Sequence, residues 1–167
     1  MSVSLTNVKT AFQEQIPHNH CFGCGPLNTG GLQIKSYWLD DAAETFNSYC
    51  EFVPQLTHCA GPTTVVNGGI ISTVMDCHAI CSAMAEAYRR EGLNMDGSIW
   101  YATASLQVSF LAAAPLSQRL RCVAQLQVSS ARKTLIDCEV WAGDVLCAKG
   151  HVIAVRVAAD WATTSNS

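Results

Sequence analysis

Residues 67–90, NGGIISTVMDCHAICSAMAEAYRR, constrain this chain more than any other stretch. From Gly68 to about Arg90 there is no proline, and apolar residues fall on nearly every face of a helical wheel. The segment therefore predicts one long helix, buried against a sheet. At roughly 1.5 Å per residue it would run about 33 Å, enough to lie across a whole sheet.

One acid interrupts it. Asp76 is the only carboxylate between Glu51 and Glu86, and no Lys or Arg occurs between Lys35 and Arg89. A carboxylate in so apolar an element must be hydrogen-bonded, paired from elsewhere in the fold, or pushed up in pKa. Each outcome suits a general base or nucleophile; the alternative is an acid on the one wet stripe of a partly exposed helix, and this stretch alone leaves both open. Gly69, Thr73, Ile80 and Ala83 share the face of Asp76, whereas His78 lies about 200° further round and reads as a core histidine.

Around the helix the pattern is that of strands. Residues 4–15 predict a short helix, followed by the loop IPHNHCFGCGPLNTGG. Leu32–Leu39 and Glu44–Phe52 predict a strand pair joined by the turn DDAA. From Ser98 to Phe110 the alternation puts Trp100, Ala102, Ala104, Leu106, Val108 and Phe110 on one face, and Tyr101, Thr103, Ser105, Gln107 and Ser109 on the other. The same period runs through Leu120–Val128, Ile136–Val140 and Val145–Val157, with hairpin turns expected at AAPLS, SSARK and AGD. The order is a strand pair, a long central helix, then a four-strand antiparallel meander, an α+β architecture of about six strands. The tail from Asp160, DWATTSNS, reads as frayed.

At 167 residues the chain suits one domain, 1–167, with residues 1–31 as an N-terminal helix and loop. Ten Lys and Arg against thirteen Asp and Glu, with no basic run longer than a pair, give no footprint for nucleic acid. Uncharged stretches are broken by Gly, Pro, Asn, His and Ser before a bilayer's length, so no membrane span is expected. The N-terminus lacks a basic-then-apolar leader. The nine cysteines are scattered, several of them in apolar periodic segments, as reduced core thiols are, which points to a reducing cytoplasm. His18, His20, Cys21 and Cys24 crowd into HNHCFGCG, too tightly for a usual zinc pattern. That loop is read as structural, with no metal and no cofactor expected.

Three pieces, CFGCGPLNTGGL at 21–32, NGGIISTVMD at 67–76 and TASLQVSFLAAAPL at 103–116, together with the element order, make the chain resemble the hotdog-fold thioesterases. The phenylacetyl-CoA and 4-hydroxybenzoyl-CoA thioesterase-like groups are the nearest in pattern. The resemblance implies a sheet wrapped around the helix and hydrolysis of an acyl-CoA or acyl-carrier thioester. It further implies that Asp76 is general base or nucleophile and that the Gly68 backbone NH polarises the carbonyl. Thr103 matches a hydroxyl that positions water in some relatives. Many relatives have His where this chain has Asn67, which can hydrogen-bond substrate or simply cap the helix. Gly69 and Thr73 would flank the acyl group. Arg132 and Lys133, the only adjacent basic pair in the sheet half, are candidates for the phosphates of coenzyme A. A non-catalytic acyl-thioester binding domain is the alternative, and a hydratase of the same fold is disfavoured because no His stands at the helix start. Since no charge occurs from Ser98 through Leu111, that strand, if at an edge, would pair with another copy. The resemblance likewise implies a dimer or dimer of dimers.

Overall fold

The computed structural model describes residues 9–39 and 47–161. Its strands are β1 (Ser36–Trp38), β2 (Asn47–Phe52), β3 (Tyr101–Phe110), β4 (Leu120–Ser129), β5 (Lys133–Ala142) and β6 (Val145–Arg156), with one α-helix, α1 (Gly68–Glu91), between β2 and β3. They form one antiparallel sheet in the order β1-β2-β4-β5-β6-β3, and α1 packs across all six strands. This is the hotdog arrangement, an α+β fold with the sheet wrapped around a central helix.

The helix ends are encoded locally. Asn67 is the N-cap, its Oδ1 accepting from the Gly69 NH at 2.7 Å. At the other end Gly92 takes the left-handed conformation (φ 67) that a residue with a Cβ adopts only at a cost, while Arg89 and Arg90 sit in the last turn against the negative end of the dipole. By length and composition alone α1 could cross a bilayer; here the sheet covers it, and Val74, Met75, Ala79, Ala83 and Ala87 are essentially inaccessible. Helix and sheet approach closely at Gly150, where a Cβ would stand 2.9 Å from the Met75 sulfur. Several polar groups inside the core pair with one another, whereas the Tyr101 hydroxyl and Asn47 Oδ1 are buried without a partner among the described residues. His78 is fully buried, with Nδ1 2.8 Å from Ser36 Oγ and Nε2 3.4 Å from Ser48 Oγ. Gln13 bonds both the Ser36 hydroxyl and its backbone NH, and Ser82 bonds Ser48. His78 is thus the expected core histidine.

Four expectations change. Within 9–15 only Gln13–Gln15 is helical, as a single 3-10 turn; the rest of the expected 4–15 helix lies outside the described residues, as do the DDAA turn and residues 162–167. The last four strands are not a simple meander. β4, β5 and β6 are consecutive hairpins, but β3 pairs with β6 at the sheet edge, so the AAPLS segment is a crossover that runs beside the helix entry, with Val66 NH bonding Ala114 O and Leu116 NH bonding Thr64 O. Alternation reports which way side chains face and is silent on which strand is the neighbour.

The alternation of β3 itself also breaks. A bulge between Thr103 and Ser105 leaves Ala104 without a partner and reverses the phase. Tyr101 and Thr103 pair with Arg156 and Ala154, and Leu106 and Val108 with Val152 and Gly150, so all four share the helix side. A similar bulge between Leu126 and Val128 turns Val128 out to solvent. Lastly, the start of the tail is not loose: the Trp161 NH bonds Ala158 O and its ring lies 6.2 Å from that of Trp100.

Candidate active site

Asp76 sits about a third of the way along α1, half-buried, on the side facing the start of β3. The bulge that follows Thr103 turns its hydroxyl towards the helix, where Oγ1 donates to Asp76 Oδ1 at 2.5 Å. Burial pushes the Asp76 carboxyl above its ordinary range, and the Thr103 hydrogen bond opposes that rise in part. One hydroxyl proton is committed to one carboxylate oxygen. Oδ2 therefore keeps its lone pairs for water or a reacting carbonyl carbon.

The acid opens into a cavity of about 540 Å³. Ile80, Met84, Trp100 and Trp161 give it apolar walls, while His18, His20 and Cys21 of the N-terminal loop form the opposite rim. An apolar chamber with a carboxylate and a hydroxyl converging at one point has the usual make-up of a small-molecule site. Sequence reasoning missed the two tryptophans and the loop rim. A tryptophan in a tail dismissed as polar was a usable signal, because so large an apolar ring seldom lacks a packing partner.

The remaining candidates fall elsewhere. Gly68 opens the helix, and its NH has no acceptor among the described residues, as a first-turn amide at the positive end of the dipole should not. The Phe110 ring lies over it, 3.1 Å from where a Cβ would stand. Asn67 Oδ1 is occupied in capping, which leaves only its amide NH2 for another task. Thr73 Oγ1 bonds Gly69 O at 2.9 Å, so both stand on the Asp76 face, one and two turns earlier, outside the cavity lining. Gly68 precedes Asp76 by about 12 Å of helix rise. Arg132 lies in the turn between β4 and β5 and Lys133 opens β5; neither lines the cavity. The structure thus brings Asp76 and Thr103 together and leaves the glycine amide and the basic pair apart from them within one chain.

A family model described as the thioesterase superfamily matches residues 63–149. Among solved structures, the chain is similar to a thioesterase superfamily protein from Shewanella loihica PV-4, at 28% identity and a TM-score of 0.62, over 84% of this chain and 96% of that one. It is also similar to a phenylacetic acid degradation-related protein from Ralstonia eutropha JMP134, at 20% identity and a TM-score of 0.62, over 80% and 92% of the two chains. The E. coli PaaI protein from the phenylacetic acid degradation operon shares 12% identity at a TM-score of 0.60, over 75% and 80%. The last two likenesses carry the fold alone. No curated protein matches the chain.

Proposed function

The chain belongs to the thioesterase superfamily, and on that premise we propose that it hydrolyses an acyl thioester of coenzyme A or an acyl carrier, with Asp76 as general base or nucleophile. The observation that carries the reading is the Asp76–Thr103 hydrogen bond at the edge of an apolar cavity. Thr103 holds the carboxylate in one orientation, Oδ2 takes a proton from water or attacks directly, and Ile80, Met84, Trp100 and Trp161 take the acyl group. Ionisable Arg132 and Lys133 enter only as solvent-facing cations for the coenzyme A phosphates. The buried free thiols, all but Cys21 and Cys59, support a reducing cytoplasm as the setting.

Charge building on the carbonyl oxygen needs a donor, and the Gly68 NH is suited to it. Reacting groups must lie within about 3–3.5 Å of one another, so a separation near 12 Å along one helix is too long for one carbonyl to use both Gly68 and Asp76 of the same chain. We therefore include assembly in the proposal: each site takes Gly68 from one copy and Asp76 from another. β3 supports this, since it ends the sheet order and carries no charge from Tyr101 to Phe110, an edge suited to pairing with its own copy.

Thiol release from a panel of short, long and aromatic acyl-CoAs tests the activity. Release with at least one class is expected; tight binding across the panel without release would identify a binding domain instead. The acid limb of kcat/KM should lie above the ordinary aspartate range, because Asp76 works ionised and burial raises its pKa. In Thr103→Val the hydrogen bond that lowers that pKa is gone, so the limb should move to still higher pH and the rate at neutral pH should fall about 10-fold. An unmoved limb would separate Thr103 from the chemistry.

A further inference from the structure

The loop that rims the cavity reaches the catalytic helix through sulfur. Cys21 and Cys24 come from the Cys-x-x-Cys of HNHCFGCG, and α1 presents Cys77 and Cys81, one turn apart on one face. Cys21 Sγ is 3.6 Å from Cys77 Sγ, and Cys24 Sγ is 3.7 Å from Cys81 Sγ. The sulfurs of Cys21, Cys24 and Cys77 lie within 4.8 Å of one another; that of Cys81 stands outside this set and joins it through its contact with Cys24. In a tetrahedral thiolate site with metal–sulfur bonds of about 2.3 Å, sulfurs stand about 3.8 Å apart. Disulfide bonding would need about 2.05 Å.

The loop is built to hold this shape. Asn19 Oδ1 accepts from the Cys21 NH at 3.0 Å, Gly25 NH bonds Cys21 O at 2.8 Å, and Ile34 NH bonds Gly23 O at 3.0 Å. Gly23 lies so close to the helix that a Cβ there would meet Cys77 Sγ at 2.2 Å, and one on Gly25 would meet the Cys21 nitrogen at 2.4 Å. Gly23 is therefore required by the approach of the loop to the helix, and Gly25 by the tight turn of the loop upon itself. Judged on the loop alone, the ligands were too crowded for zinc; the second pair comes from the helix, at a spacing of four residues that two ligands on one helix can share.

We propose that Cys21, Cys24, Cys77 and Cys81 bind one thiophilic divalent cation, zinc foremost, and that the ion rivets the N-terminal loop to α1 beside Asp76. Each thiol gives up its proton to solvent on ligation. Ligation draws the Cys81 sulfur in beside the other three, and four sulfur donors with no open position make the site structural, so its role is to fix the cavity rim formed by His18, His20 and Cys21. A second cluster, Cys50, His78 and Cys122, is wholly buried, and both His78 nitrogens already face serine hydroxyls. It is the weaker host.

Full-length protein produced with zinc and desalted without chelator should contain about one zinc per chain by elemental analysis. Cys24→Ser and Cys81→Ser should lose the metal, and Cys122→Ser should keep it. Cobalt loading of wild-type protein provides a reading independent of variant folding: the visible bands and sulfur-to-metal charge transfer of a tetrahedral tetrathiolate are expected. On removal of the metal, amide exchange in residues 18–25 should speed up. Zinc far below one per chain with all four thiols free to a thiol reagent would overturn the proposal. So would Cys21–Cys77 or Cys24–Cys81 disulfides in protein isolated under nitrogen, or metal lost in Cys122→Ser but retained in the other two.

Discussion

Asp76→Asn should abolish nearly all thioester hydrolysis, by about 100- to 10,000-fold in kcat, while the protein keeps its fold. The amide retains the size and the hydrogen-bond acceptor that Thr103 uses, but it can neither take a proton from water nor attack a carbonyl carbon. Stability should not suffer. Because burial raises the folded-state pKa of Asp76, the ionised carboxylate is disfavoured in the native protein above that pKa, and the disfavour vanishes as pH falls below the unfolded value. A neutral amide removes it at every pH, so the melting temperature of the variant at pH 8 should equal or exceed that of wild type. Near-wild-type turnover in a folded Asp76→Asn protein would reduce the acid to a structural role.

The second large effect is a recovery. Gly68→Pro removes the amide proposed to polarise the carbonyl, at a position where proline is tolerated: Gly68 is the first residue of α1, and Asn67 already has the extended backbone (ψ 135) that a residue before proline prefers. The Phe110 ring must yield slightly. Alone, this variant and Asp76→Asn should each be nearly inactive. If sites are shared, a mixed dimer holds one site with both groups intact, so unfolding and refolding the two variants together should restore about a quarter of wild-type activity. Light scattering would accompany the measurement. Failure to recover activity on mixing, or an active species with the mass of one 17.9 kDa chain, would rule out the shared site.

Much of this arrangement was readable from the residues because it rests on local rules. The cap at Asn67, the uninterrupted apolar helix and the inward set Leu120, Cys122, Ala124, Leu126, Ile136, Cys138 and Val140 follow from short-range geometry, and the structure has them where periodicity put them. Asp76 stood out for the same reason, a charge where none should be. What escaped was relational. Nothing in the alternation of residues 98–110 marks Ala104 as the extra residue, since an alanine fits either phase; only pairing with β6 reveals the bulge that carries Thr103 to the helix. Likewise, Cys77 and Cys81 looked like two more small core residues until a loop more than fifty positions earlier came to rest on them. The placement of β3 beyond β6 is a choice among edges that hydrophobic pattern does not encode.

The buried bonds of His78 have a further consequence, one of registration. A helix that is greasy on most of its circumference has many nearly equivalent ways to lie on a greasy sheet, and a slip of one residue would turn Asp76 about 100° away from Thr103. Van der Waals packing grades such slips; it does not forbid them. Two imidazole nitrogens meeting Ser36 and Ser48, with Gln13 and Ser82 behind them, have only one setting in which every partner is satisfied. Like the pin of an indexing plate, the histidine fixes the helix's rotation and advance together, two residues from the acid whose aim depends on both.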